Sequence, residues 1–477
     1  VHGEKEEMKS HTTNTQKCKK IYSSLPIVFL LLDICKIFTE QMKITSTFLI
    51  LFLFITTLFA QERFVETWSD GKLKTEGFMK EGKKEGAWKE YYDDGKKFCE
   101  GEYKNDEKSA PWKCFYRTGE KLSETNNNGQ NTSWYKSGQK EFEGTLKNGK
   151  KEGLWTDWFD NGIVKKKSEY KNGMLHGNVD EFYENGKAKA DAYYVEDKKE
   201  GYFTWWFADG KTDMEGAFKN DIREGKWIFY HKKGTKGSEG NFANDKQDGE
   251  WFYYYEESGK LWKKGSFSNG LKTAEWTVFY EDGKTKEHFG NFENNKESGL
   301  WTAFYMNGQK KEEGTFKEGK LDGVWKGWYE NTNPKFETTY KMGITDGTSK
   351  TWFENGQQEF EKTFADSLKN GLWKEWYPNG KVKEAGNFLK GERNGLWNNY
   401  YSTGQLFQKL NYKTGRQEGL QESWYEHGVQ WSSVNYLQGR LNGLSTYWDE
   451  QGNVVYKAKF KAGKVEKILK QMEEKKP

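Results

Sequence analysis

Trp155-Thr156-Asp157-Trp158-Phe159-Asp160-Asn161-Gly162 returns as Trp373-Lys374-Glu375-Trp376-Tyr377-Pro378-Asn379-Gly380. Aromatic residues occupy the first, fourth and fifth positions, and Asn-Gly or Asp-Gly closes the stretch. Such dipeptides between apolar runs mark the tight turns of antiparallel hairpins, in which both turn residues need positive φ. The same ending stands at Asn185-Gly186, Asp209-Gly210, Asp282-Gly283, Asn307-Gly308 and Asn355-Gly356. Each stretch reads as the first strand and turn of a hairpin.

Outward from these two copies, the first aromatic slot falls at Phe64, Trp88, Trp112, Asn131, Trp155, Val179, Phe203, Trp227, Trp251, Trp276, Trp301, Trp325, Ser349, Trp373, Trp397, Gln421 and Ser445. Thirteen of the sixteen intervals are 24 residues, two are 25, and one is 19 through a deletion near Asn126 to Gly129. A fixed period in this range marks an array in which each unit buries its apolar surface against its neighbours. The fold class is therefore all-β, an elongated antiparallel hairpin array over residues 62–463, about 17 units forming one twisted sheet of about 34 strands.

A second aromatic recurs eight residues after the turn glycine, as at Tyr103, Tyr170, Phe242, Phe316, Phe388 and Tyr412. Centring the turn between Asn and Gly sets the slot opposite the residue thirteen positions later: Trp88 against Gly101, Trp373 against Gly386. Nine of the ten slot Trp then face Gly, Ser or Thr, and Leu410 opposite Trp397 is the exception. An indole lying across a glycine within each hairpin is the expected packing. Units whose slot is Asn131, Phe203, Ser349, Gln421 or Ser445 carry Trp three residues on, at Trp134, Trp206, Trp352, Trp424 and Trp448, a displacement to the opposite face. A further glycine two residues before the slot, as at Gly153 or Gly371, is expected to close the connection between hairpins.

The motif Gly371-Leu-Trp373-Lys-Glu-Trp376-Tyr377-Pro-Asn-Gly380-Lys381 resembles the MORN-variant repeat proteins, often grouped under the name YwqK-family antitoxin. The likeness covers roughly residues 62–463. It implies an elongated antiparallel β array used for protein or membrane-surface contact, and it brings no catalytic residues. The antitoxin label implies a toxin partner in the cytoplasm, at odds with the leader described next, and that role is not carried over.

Met42-Lys43 precedes an apolar run from Ile44 to Ala60, and Gln61-Glu62 follows it. A basic start, an apolar stretch and a small residue before a polar switch make a signal peptide over 42–61. The chain is then exported to a periplasmic, cell-surface or secreted location, or is anchored at its N-terminus if the signal is uncleaved. Residues 1–41 read as an upstream extension outside the fold. Residues 464–477, with Val465, Ile468, Leu469 and Met472 at helical spacing, read as a short helical cap over the last strand edge.

Composition fits an array. Of the 477 residues, 34% are hydrophobic and 31% charged, yet 17% are aromatic, too few aliphatics for a large globular core and too many aromatics for disorder. The 76 basic and 72 acidic residues interleave through every unit, a solvated face rather than the basic stripe a nucleic-acid partner requires. Beyond the leader only Cys99 and Cys114 remain. An oxidising compartment permits a disulfide between them, on a strand register that the sequence leaves open.

His176, His231, His288 and His427 sit at unrelated slots. That spacing indicates no metal or cofactor site and no triad, and carboxylate pairs recurring in every unit are a solubilising pattern, so the reading is non-enzymatic. The aromatic ladders serve packing, or else offer a binding surface at Trp134, Trp206, Trp352, Trp376, Trp424 and Trp448. The leading expectation is a scaffold for an unidentified protein partner or envelope component, with membrane contact at the surface only. The alternative is a glycan or cell-wall binder using the aromatic stripes.

Overall fold

The computed structural model describes residues 61–109 and 111–472, and the signal peptide and residues 1–41 lie outside them. The chain divides into two units, Val1–Ile222 and Arg223–Pro477. Within each, successive strands pair antiparallel with their chain neighbours. The first unit runs from Glu62–Thr67 to Thr212–Lys219, and the second from Ile222–Tyr230 to Lys464–Gln471. Among the described residues there is no helix.

The described residues form forty strands, but five are two-residue pieces, such as Lys198–Lys199 and Arg440–Leu441. Each is separated by a bulge from its continuation, since Lys199 and Thr204 both pair with the strand Ala188–Val195. Merging the pieces leaves 35 strands. The one beyond expectation is Lys464–Gln471, which corrects the helical cap: it pairs with Val454–Lys461. Its register departs from the 24-residue step, since Ile468 rather than Leu469 pairs with Ala458, and the exposed backbone of a neighbouring strand supplies hydrogen bonds that outweigh a short helix's weak local propensity. At the other end, Glu62–Thr67 and Leu73–Lys80 form an ordinary hairpin.

The register agrees with the thirteen-residue rule. Trp88 pairs with Gly101, Trp155 with Ser168, Trp373 with Gly386 and Trp397 with Leu410. The turn that sets it is of another kind. Gly162 N–H donates to Phe159 O at 2.9 Å, and Phe159 N–H to Ile163 O at 2.8 Å. Only the glycine of the Asn-Gly pair is left-handed, at φ +83°. This is a three-residue loop ending in a glycine bulge. The register shifts by one between Asp157 and Trp158, and that shift restores the pairing a two-residue turn would have given.

Two-residue turns with both residues at positive φ occur instead between hairpins. At Asn105-Asp106, φ is 52° and 69°, and at Asn172-Gly173 it is 53° and 90°. The glycine two before the slot therefore does not close the connection. Gly153, at φ +69°, lies inside the strand Lys150–Trp158, where the register slips between Glu152 and Thr156. A left-handed residue at that point makes the bulge, and glycine adopts it without strain.

Candidate functional site

The indole row is a packing device, and its geometry differs from the within-hairpin pair expected. A Cβ built on Gly386 would lie 2.2 Å from Cδ2 of Trp397, eleven residues later and in the next unit; for Gly240 and Trp251 the distance is 2.3 Å. Each indole lies on the glycine of the preceding hairpin. Its Nε1–H donates to the carbonyl of the residue after that glycine: Trp397 to Asn387 O at 3.1 Å, Trp251 to Asn241 O at 3.0 Å, Trp155 to Thr145 O at 3.1 Å. The eleven-residue pair explains what the thirteen-residue pair left as an exception. Leu410 lies eleven before Gln421, Val434 eleven before Ser445, and Thr338 eleven before Ser349. Where the slot residue is small, the space above the strand is filled from below. Gln421 keeps the indole's hydrogen bond, donating to Asn411 O at 2.8 Å.

Where Lys or Arg stands four residues before the slot, it covers the other side of the ring. Lys108 Nζ is 4.1 Å from the Trp112 centroid, Lys369 4.2 Å from Trp373, and the Arg393 guanidinium 4.1 Å from Trp397. The aliphatic stem shields the ring and the charge faces the π-cloud. Part of the Lys population read as a solvated face is therefore a lid. The second aromatic stands edge-on between successive indoles, as in Trp373, Phe388 and Trp397, with centroids 5.1 Å apart at each step. Trp88, Trp112 and Trp397 are at most 1% exposed. Burying on the order of 200 Å² per indole contributes about 5 kcal/mol as an upper bound. Lys362 replaces the glycine under Trp373, with Nζ 4.6 Å from the ring, and burial pulls its pKa below the ordinary lysine value.

Cys99 and Cys114 are directly opposed across adjacent strands, with an S–S distance of 2.09 Å, beside Trp88 and Trp112. The histidines hold individual places. His231 Nε2 lies 3.2 Å from Tyr254 O, and His427 Nε2 lies 2.9 Å from Glu450 O. His288 stacks on Trp301, and burial lowers its pKa.

The model of the MORN repeat variant matches residues 84–105, 151–172, 297–318, 321–342, 369–390 and 393–414. The chain carries variant MORN repeats. Each matched window opens four residues before a slot Trp, at the position of the covering side chain. The match concerns the MORN unit and does not extend to an antitoxin role. No curated protein matches. Among solved structures, the crystal structure of TcdB2-TccC3 is 10% identical over 84% of this chain and 28% of that one, with a TM-score of 0.14. The Photorhabdus luminescens Tc holotoxin pore, mutation TccC3-D651A, is 11% identical over 84% and 23%, also at 0.14. The chain spans about a quarter of the length of those it matches, and at such scores neither likeness bears on fold or function.

The six singled-out Trp all occupy one position of the 24-residue unit. Trp134 and Trp206 lie in the first unit of the chain, and Trp352, Trp376, Trp424 and Trp448 in the second. All are half-buried. Each is the last residue of its strand, paired beside the bulge with Lys140, Thr212, Gln358, Val382, Gln430 and Val454 respectively. No relocation of Trp has occurred. This fourth position is aromatic in every unit from Tyr91 onward, including Trp158, Trp328 and Tyr400. Its carbonyl accepts a hydrogen bond from the fifth-position Tyr of the preceding unit: Tyr329 to Trp352 O at 2.8 Å, Tyr401 to Trp424 O and Tyr425 to Trp448 O at 3.0 Å. Lys374 and Trp376 share a face, with Nζ 4.8 Å from the ring.

Two more rows lie on that outer face of the second unit. One position before the slot, Leu372, Leu396, Leu420 and Leu444 are 39–47% exposed, interleaved through cross-strand pairing with Asn387, Asn411 and Asn435. One position after the slot, Lys326 meets Glu337 at 3.5 Å and Lys350 meets Glu361 at 3.7 Å. Sequence reasoning missed the Leu/Asn row because single exposed leucines are ordinary; their 24-residue recurrence was the available signal.

Proposed function

We propose that this chain is a non-enzymatic, exported repeat scaffold whose outer face meets another protein or an envelope component. The observation that carries this reading is the division of labour between the faces. Slot Trp such as Trp112 and Trp397 are spent on holding one hairpin to the next, sealed between glycine and a Lys or Arg stem. The outer rows of Leu, Lys/Glu and Trp repeat at a constant step and are open to contact. An extended surface with a fixed step suits an extended partner, as in other arrays whose repeats stack in one dimension. Export rests on the leader at 42–61.

Photo-crosslinking from position 396 in the producing cell, followed by fractionation, tests the reading. Crosslinks to envelope material from position 396, absent from the sealed position 397, are the expected result. A chain retained in the cytoplasm, or crosslinking no better from 396 than from 397, defeats it.

A further inference from the structure

We infer that Trp328, Trp352, Trp376, Trp424 and Trp448 form a stacking ladder for a single chain of a neutral, extended β-1,4-linked polysaccharide. This rests on the scaffold reading and names its partner. The five rings occupy one register position in six consecutive units, with Tyr400 in the remaining place, and all five residues are half-buried. Successive rings are two strands apart, roughly 9.6 Å at the usual strand spacing. An extended β-1,4-linked glycan turns each sugar over relative to the last, so the same ring face returns at every second sugar. That step is comparable with two strands, and flat sugar faces stack on flat aromatic ones.

The neighbouring rows select against other polymers. From Lys326 through Glu337, Lys350 and Glu361 to Lys374 the middle row alternates in sign across paired strands, and further on Lys409 lies opposite Glu422, so the row offers no continuous basic stripe for nucleic acid or an acidic polymer. An extended peptide repeats its facing side chains at roughly 6.6 Å, out of step with the rings. A proline-rich helix comes closer in step, but its prolines lack N–H donors. The outer rows present carboxylates alongside amines and amides, and hydroxyls pair with both kinds. Sheet twist rotates neighbouring strands by roughly 20°, so rings two strands apart turn by about 40° per step. A single soluble chain can follow that turn; a flat crystalline surface cannot.

Calorimetry on the full chain with soluble β-1,4-linked hexasaccharides of glucose, N-acetylglucosamine and mannose tests this, with the corresponding tetrasaccharides and an α-1,4-linked glucose hexasaccharide for comparison. One β-linked series should bind, gaining roughly fivefold per added disaccharide, which is ~1 kcal/mol per aromatic contact converted at 1.4 kcal/mol per tenfold. The variant W352A/W376A/W424A should lose roughly a hundredfold on the same arithmetic. Since truncating three half-buried rings can unfold their strands, the single variant Trp376→Tyr, checked by circular dichroism, should lose only a few-fold. Absence of β-glycan binding overturns the inference, as does equal binding by a folded triple variant, preference for a crystalline surface, or occupation of the ladder by a proline-rich peptide. Crosslinking from position 396 to an envelope protein, with no glycan bound, would leave the scaffold reading standing and remove this one alone.

Discussion

Exchanging one eleven-residue pair for another tests the packing rule directly. In the strand Val382–Leu389, Gly386 lies under the indole of Trp397, which is 0% exposed. One unit on, Leu410 and Gln421 occupy the same two places, and Gln421 Nε2 donates to Asn411 O at 2.8 Å. Gly386→Leu alone puts a Cβ 2.2 Å from Cδ2 and 2.4 Å from Cε2 of Trp397. No rotamer relieves that contact, so the indole is expelled at a cost of roughly 3–5 kcal/mol, the range for losing a buried aromatic. Trp397→Gln alone leaves a void over Gly386, at a similar cost. With both changes made, the introduced leucine fills the void and the introduced amide takes over the bond to Asn387 O. The double variant should recover at least ~2 kcal/mol relative to the sum of the singles. Because an array need not unfold in one step, the readout is amide-exchange protection across Val382–Leu389 and Glu392–Tyr400 rather than a single midpoint. The within-hairpin combination Gly386→Leu with Trp373→Gln should show no rescue. Additivity at 386/397, or rescue at 386/373, refutes the eleven-residue rule.

Native protein alkylated without reductant should keep both Cys99 and Cys114 unmodified by mass spectrometry. Cys99→Ser/Cys114→Ser should lower local stability in the strand Lys97–Lys104 by about 3 kcal/mol, as expected for a loop closed at a separation of 15 residues. Glu239 resists ionisation through burial, yet hydrogen bonds from Lys226, Tyr254 and Lys236 overcome this and hold its pKa at about 2. Since the folded value lies below the unfolded one, its contribution is present above pH ~4.5 and disappears as pH falls through about 2. Exchange protection of Lys236–Ala243 followed down that window should fall in the native chain and stay flat in Glu239→Gln. Tyr401→Phe removes the hydroxyl bond to Trp424 O and should cost about 1 kcal/mol. Phe159, Phe207 and Phe353 occupy the same place naturally, so a loss of several kcal/mol in denaturant titration would contradict the assignment.

The register is legible in the sequence because the turn glycine and the slot Trp are punctuation marks at fixed distances. The turn type is not legible there, since Asn-Gly serves both a two-residue turn and the end of a three-residue loop, and the glycine bulge restores the same pairing. The C-terminal strand is hidden for a different reason: Val465, Ile468, Leu469 and Met472 fit a helical period by coincidence, while the open edge of Val454–Lys461 decides the pairing. The outer Trp were found, but as a set of displaced residues, because Tyr and Phe at the same position elsewhere hid the continuous row.

Taken alone, the sequence determined the period, the all-β class, the pairing within hairpins and the equality of the units, because turn chemistry and alternation act over a few residues. Only the tertiary structure decided which hairpin's glycine each indole covers, which lysines are lids, and which rows are left open. Those outcomes depend on contacts between units, where a side chain chooses between two neighbouring strands that stand equally near it in sequence. Leu410 and Gln421 show that choice in a single pair: a mismatch within its hairpin, and a fit with the next.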